Sequence, residues 1–170
     1  MSTPQIAPPG REATIADVET LVSLVREFCA HFDYQFSESR TRAALYELLT
    51  DRLLGRVFLV EHDDAALGYI ALTFSFSLEF GGRTAFIDEF FIQAAGRGRG
   101  LGQRVLDFVA ERSRAAGINA ILLEAEDTNP RASALYKKAG YECFGRRLLT
   151  KSLNPEVGYG VASLRITKSE

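Results

Sequence analysis

Residues 85–102 read A-F-I-D-E-F-F-I-Q-A-A-G-R-G-R-G-L-G, and the rest of the chain is placed relative to them. The first half, Ala85 to Ile92, is apolar and aromatic apart from Asp88 and Glu89, the composition of a strand buried on both faces of a sheet. From Gly96 to Gly102 glycine alternates with arginine or leucine, and the chain then passes straight into a helical pattern. Strand, glycine-rich loop and helix start, in that order, build an anion site. Glycines allow φ values that expose consecutive N–H groups, and the helix start adds unpaired donors and about half a positive charge. Arg97 and Arg99 add two full charges. The segment is a cradle for a diphosphate.

Outward from this loop, the apolar positions Leu101, Val105, Phe108 and Val109 predict a helix over 101–116. Ile121-Leu122-Leu123 then predicts a short buried strand over 120–125. Strand, helix and strand make a βαβ unit with parallel strands and a right-handed crossover, and ligands of such sheets sit at the carboxyl ends of the strands. Asn129 and Pro130 open a further helix as N-cap and first residue, and Gly140 closes it. On the N-terminal side, Val57–Val60 and Ala66–Glu79 read as strands, joined by a turn at Asp63-Asp64 and followed by another at Gly81-Gly82. Earlier still, Thr14 and Asp17 form a capping box before a helix carrying Val18, Leu21, Val22, Val25, Phe28 and Cys29. Ser37 caps a second helix, and a short strand is expected near Arg11–Ala13. Tyr141–Leu153 predicts one or two terminal strands and Tyr159–Ile166 another.

Bulk properties bound the function. A length of 170 residues with 46% hydrophobic composition fits one domain, 1–170, with 1–10 loose and 154–170 as a C-terminal extension. Net charge −2 leaves no face-wide basic excess for nucleic acid. No run approaches the ~20 apolar residues of a membrane span. Met1–Gly10 lacks the basic and apolar regions of a secretory signal, so a cytoplasmic location is expected. Cys29 and Cys143 have no metal-like spacing and read as reduced structural thiols, one on a helix face and one in a late strand. No metal is expected.

Two common phosphate loops are excluded: no register supplies G-x-G-x-x-G, and the loop has no lysine for a Walker motif. What is present, Arg97-Gly98-Arg99-Gly100-Leu101-Gly102, matches R-x-x-G-x-G and resembles the acetyl-CoA pyrophosphate loop of the GNAT superfamily of N-acetyltransferases. A second match lies at Asn129, Ala132, Leu135, Tyr136, Gly140 and Tyr141, which follow the family pattern N-x-x-A-x-x-L-Y-x-x-x-G-[FY]. The resemblance covers roughly residues 65–150. It implies an α/β domain of the GNAT-type acyl-CoA N-acyltransferase fold, a central mixed sheet with helices on both faces, with acetyl-CoA as co-substrate.

Site residues follow from the resemblance. The loop from Arg97 to Gly102, including Gly98, Arg99, Gly100 and Leu101, holds the diphosphate. Phe90, Phe91 and Ile92 line the cofactor, with the main-chain N–H groups of Phe91 and Ile92 as donors where the strand bulges. Asn129 and Ala132 add contacts from the later helix, and Tyr136 is the acid for the departing thiolate. An attacking amine titrates near ~10 and must lose a proton to a carboxylate. Glu89 is assigned as that acceptor and Asp88 as a substrate contact, the strand alone leaving either open to either role. Asp33 and Tyr34, between the first two helices, are expected to meet a cationic substrate. Each has a purely structural alternative: Asn129 as a cap, Tyr136 as a core tyrosine, the carboxylates as ion pairs, the 31–39 segment as a solvated loop.

The expected activity is acetyl transfer to the primary amine of a small cationic molecule. D-E-F-F-I at 88–92 is similar to the corresponding strand of spermidine/spermine N-acetyltransferases, which points to a polyamine-like acceptor. Protein N-termini remain open as acceptors, as does a non-catalytic acyl-CoA-binding module. The family habit allows a homodimer.

Overall fold

The computed structural model describes residues 9–125, 129–146, 148–151 and 153–154. Five strands form one sheet in the order β1-β2-β3-β4-β5. They are β1 (Gly10–Glu12), β2 (Gly55–His62), β3 (Ala65–Ser77), β4 (Gly82–Ile92) and β5 (Ala120–Leu123). Strands β1 to β4 pair antiparallel, and β5 returns parallel to β4 after helix α3 (Leu101–Ala115). The turn joining β2 to β3 sets Asp63 and Asp64 at φ 50° and 62°, the left-handed pair that a two-residue hairpin link requires and that aspartate tolerates.

Each face of the sheet is covered, which explains why the central strands are apolar throughout rather than alternating. Helices α1 (Val18–His31) and α2 (Glu38–Thr50) bury Leu21, Val25, Phe28, Cys29 and Leu45 against Val57, Leu59, Tyr69, Ala71 and Phe91. Helix α3 buries Leu101, Val105, Leu106 and Val109 against Phe58, Val60, Ile70, Leu72 and Ile87. Helix α4 (Pro130–Lys138) adds Leu135 and Tyr136 to that second cluster. The expected α/β domain with a mixed sheet and helices on both faces is the fold observed.

Strand β4 contains an extra residue. Leu72 pairs with Ile87 and the adjacent Ala71 pairs with Glu89, so Asp88 has no partner on β3. One inserted residue is a β-bulge, and it reverses which face later side chains take. Ile87 faces α3, whereas Phe91 faces α1. The parallel ladder with β5 ends at the same point, Ile87 opposite Leu123. Beyond it the β5-side edge of β4 has no strand partner among the described residues.

The chain after α4 departs from expectation. The described residues of 141–154 form no strand, and Cys143 is exposed rather than packed in one. Phe144, Leu148, Leu149 and Leu153 are exposed as well. Strand-forming composition sets a preference but needs a neighbouring edge to supply ladder bonds. Here the tail is tied instead by Arg146, whose guanidinium pairs with Glu79 at 2.7 Å, and by Tyr141 packed against Tyr136. The expected strand Tyr159–Ile166, and all but the last two of the ten N-terminal residues expected to be loose, lie outside the described residues.

The N-terminal edge is locked by charge. Thr14 N–H and hydroxyl donate to Asp17 at 2.7 and 3.1 Å, the reach-back arm of the capping box. Arg11 adds a bidentate pair to the same carboxylate at 2.9 and 2.7 Å. The Arg11 bonds first, and the Thr14 donors with them, outweigh burial and bring Asp17 down to about 2. A carboxyl depressed on folding stabilises above its unfolded pKa, near ~3.9, and that contribution is lost as pH falls through the folded value. Asp17→Asn is therefore expected to cost roughly 2 kcal/mol at neutral pH. Urea titrations at several pH values would check this: wild type should lose the increment between about pH 4 and pH 2, and the variant should not.

Candidate active site

The glycine loop lies at the carboxyl end of β4, where a βαβ unit places its ligands. After a single 3-10 turn, Ala94–Gly96, Gly98 and Gly100 take φ 80° and 71°, and Gly100 is the N-cap of α3. A Cβ at either would meet nothing within 4 Å, so these glycines are required by torsion, and the space above them is free for a ligand. Gly102 differs: a Cβ there would come within 3.0 Å of Leu135 Cδ2, so it lets α4 pack on the start of α3. Arg99 is exposed and has no partner among the described residues. Arg97 turns back, its Nε donating to the Ile92 carbonyl at 2.7 Å and its guanidinium lying 5.7 Å above the Phe91 ring. The loop is also braced from α1, where Glu27 accepts from the Gln93 amide at 2.9 Å on both oxygens.

The edge of β4 beyond the bulge has a defined polarity. Gln93 N–H donates to Leu67 O at 2.8 Å, and the Phe91 carbonyl lies against Gly68, so Phe91 and Gln93 turn their polar groups toward β3. Alternation then turns those of Phe90 and Ile92 to the open side. The Arg97 bond to the Ile92 carbonyl comes from that side. The strand thus offers the N–H groups of Phe90 and Ile92, while that of Phe91 faces the sheet.

The two carboxylates have separate surroundings. Asp88, the bulge residue, reaches solvent yet is crowded by protein, and this burial raises its carboxyl above the usual range. Glu89 is half-buried and accepts a bond from the Tyr69 hydroxyl at 2.5 Å. Tyr69 is 1% exposed, and nothing in the spacing of β3 singles it out. Its ring joins Phe28 and Phe91, and Phe28 contacts Tyr34 at 5.9 Å, so Tyr34 is brought to the same cluster. Asp33, at φ 56° after α1, is exposed and its side chain makes no hydrogen bond or ion pair among the described residues. His31, at the end of α1, is exposed and its ring lies 6.2 Å from that of Phe91.

On the opposite face, Asn129 caps α4 by accepting from Ala132 N–H at 3.0 Å, which engages both predicted contacts with each other. Tyr136 is half-buried with its ring 5.9 Å from Tyr141, and burial raises its hydroxyl pKa. Tyr141 is pushed up to about 12, by burial first and then by Tyr136. Both phenols are therefore protonated and available as donors at neutral pH. A surface depression of about 540 Å³ beside Thr14, Ala16 and Leu49 sits at the β1 edge, across the sheet from the loop. The carboxylate there, Glu12, is already paired with Arg52 and Arg56.

A helix start with main-chain donors turned outward lies beside a strand that parts from its parallel neighbour. The profile of the Acetyltransferase (GNAT) family matches residues 21–141. The chain belongs to the GNAT family. This acetyltransferase is 27% identical over 140 residues to thialysine N-epsilon-acetyltransferase of Bos taurus, spanning 76% of the chain and 81% of the relative. Among solved structures, an integron cassette protein from the mobile metagenome of Cole Harbour Salt Marsh superposes with TM-score 0.80 at 35% identity, over 89% of this chain and 94% of that one. A protein from Clostridium acetobutylicum described as a predicted acetyltransferase, solved with acetyl-CoA, shares the fold at TM-score 0.71 and 19% identity, over 84% and 94% of the two chains. The protein is accordingly an acetyl-CoA-dependent N-acetyltransferase. Among the described residues, no helix is long and apolar enough to cross a membrane.

The two loop arginines should separate experimentally. Arg99→Ala removes a free charge and is expected to raise KM for acetyl-CoA about tenfold with kcat little changed. Arg97→Ala removes the tie to Ile92 as well and should lower kcat too. Initial rates at varied acetyl-CoA would check both; equal effects in the two variants would contradict the bracing role.

Proposed function

We propose that this acetyltransferase moves acetyl from acetyl-CoA to the primary amine of a small cationic acceptor, by direct attack with both molecules bound. The observation that carries the reading is the bulge at Asp88, which frees the β4 edge and sets two carboxylates beside it. The relative from Bos taurus, named for acetylating the epsilon nitrogen of thialysine, supports an amine of this kind.

Each step has a residue suited to it. The N–H groups of Gly98 to Gly102, with Arg97 and Arg99, would hold the diphosphate of acetyl-CoA. The N–H groups of Phe90 and Ile92 face the side where negative charge develops on the thioester oxygen, and fixed donors of this type are worth about 3 kcal/mol each. Asp88 is the better proton acceptor of the pair, because burial makes its carboxylate more basic and it is open to solvent. Glu89, bonded by Tyr69, then supplies charge for the acceptor's ammonium. This reverses the roles assigned with the family resemblance. Tyr136, protonated at neutral pH, would return a proton to the departing thiolate. Neither cysteine is required.

The chain is further proposed to act in the cytoplasm, as two unpaired cysteines suggest, and as a homodimer using the outer edge of β5, which has no strand partner among the described residues, and the exposed apolar tail. Sedimentation equilibrium would decide the assembly: a monomer at micromolar concentration would remove it.

Free-thiol release from acetyl-CoA with thialysine, spermidine and an N-terminal peptide tests the activity. Tyr136→Phe is expected to lower kcat about 100-fold. Binding of acetyl-CoA without turnover on any amine would contradict the reading. A proton acceptor with a raised pKa must be ionised to work, so kcat/KM should fall with decreasing pH while still above the usual carboxylate range. Asp88→Asn should abolish that limb.

A further inference from the structure

Tyr69 stands opposite Phe91 in the β3–β4 register, yet its hydroxyl reaches along the sheet face to Glu89, which is opposite Ala71. The separation of 2.5 Å is at the short end for a hydroxyl on an ionised carboxylate. Glu89 takes this face because the extra residue at Asp88 reverses the side-chain alternation after Ile87. Packing fixes the donor: Phe28 and Phe91 lie 6.4 and 6.5 Å from the Tyr69 ring. From α1, Cys29 faces the same carboxylate, and its thiol is pushed up to about 11 by burial and then by the Glu89 charge. The thiol is neutral there. The other ionisable groups around this face are His31 and Arg97, both against Phe91, then Tyr34 and Asp33 after α1, and Asp88 next along β4.

We propose that Tyr69 is a positioning residue for Glu89: its hydroxyl holds the carboxylate in one orientation as the fixed counter-ion of the acceptor's ammonium, leaving Asp88 to take the proton. This rests on the amine-acetyltransferase reading above. A donor bonded to the charged form of a carboxyl favours that form and makes it a poorer base. A half-buried anion held in place is at the same time a stronger partner for a cation than one free in water. One hydroxyl thus divides the work between two neighbouring carboxylates.

The variant Tyr69→Phe keeps the ring and removes the donor. Steady-state rates with acetyl-CoA and thialysine should show KM for the amine raised about tenfold. KM for acetyl-CoA should stay within about twofold, a change too small to represent a lost contact. A second acid limb, set by the Glu89 carboxyl once its donor is lost, should appear in kcat/KM beside that of Asp88. In a Glu89→Ala background the same substitution should cost nothing further, because the acceptor of the hydroxyl is already gone. Equal losses in both backgrounds, or a loss in kcat alone with an unmoved pH profile, would overturn the proposal. Should wild type acetylate no amine, the transfer reading falls, and the carboxyl 13C resonance of Glu89 still decides the role of Tyr69. A titration moved upward in Tyr69→Phe supports positioning; an unmoved one refutes it.

Discussion

One inserted residue governs this site. A strand buried on both faces has no natural place for a charge, and a parallel ladder has no free main chain for a ligand. The bulge at Asp88 answers both constraints. It ends the pairing with β5 at Ile87, and it turns the following residues so that Glu89 meets Tyr69 rather than the α3 core. Without it, Glu89 would follow Ile87 onto the face filled by Val105 and Val109, where nothing would compensate its charge.

The loop that follows inherits its direction from the same strand. Ile92 presents its carbonyl on the open side because of the alternation the bulge sets, and Arg97 ties to that carbonyl. Gln93 is held by Glu27 on α1 and by Leu67 on β3, so both ends of the short turn before Gly98 are fixed before any ligand arrives. Pre-placed donors lose less order on binding than a loose loop would. Helix α1 and the glycine loop are thereby parts of one braced unit.

Much of this was legible in the residues. The apolar run Ala85–Ile92, the glycine spacing and the Asn129-Pro130 cap each carry a local physical signature, and each element formed where that signature placed it. The bulge was not legible, because it is a relation between β4 and β3 and leaves no mark on either strand alone. Tyr69 was hidden for the same reason: within its own strand it is one more apolar position. The donor pair on β4 shifted from Phe91 to Phe90 because parity depends on the register with β3. In the tail, Tyr141–Leu153 carried a strand composition, but composition cannot supply the neighbouring edge that a ladder needs.

Adjacent carboxylates usually compete, since bringing two negative charges together raises the cost of ionising the second. Asp88 and Glu89 avoid this by facing different environments rather than by distance along the chain. Burial acts on Asp88 and raises its carboxyl, whereas Glu89 accepts a bond from the Tyr69 hydroxyl. Environments that push two similar groups apart are how a site separates acid–base work from recognition. Here a hydroxyl lies on one side and crowding on the other, and both follow from where the bulge sets the two side chains.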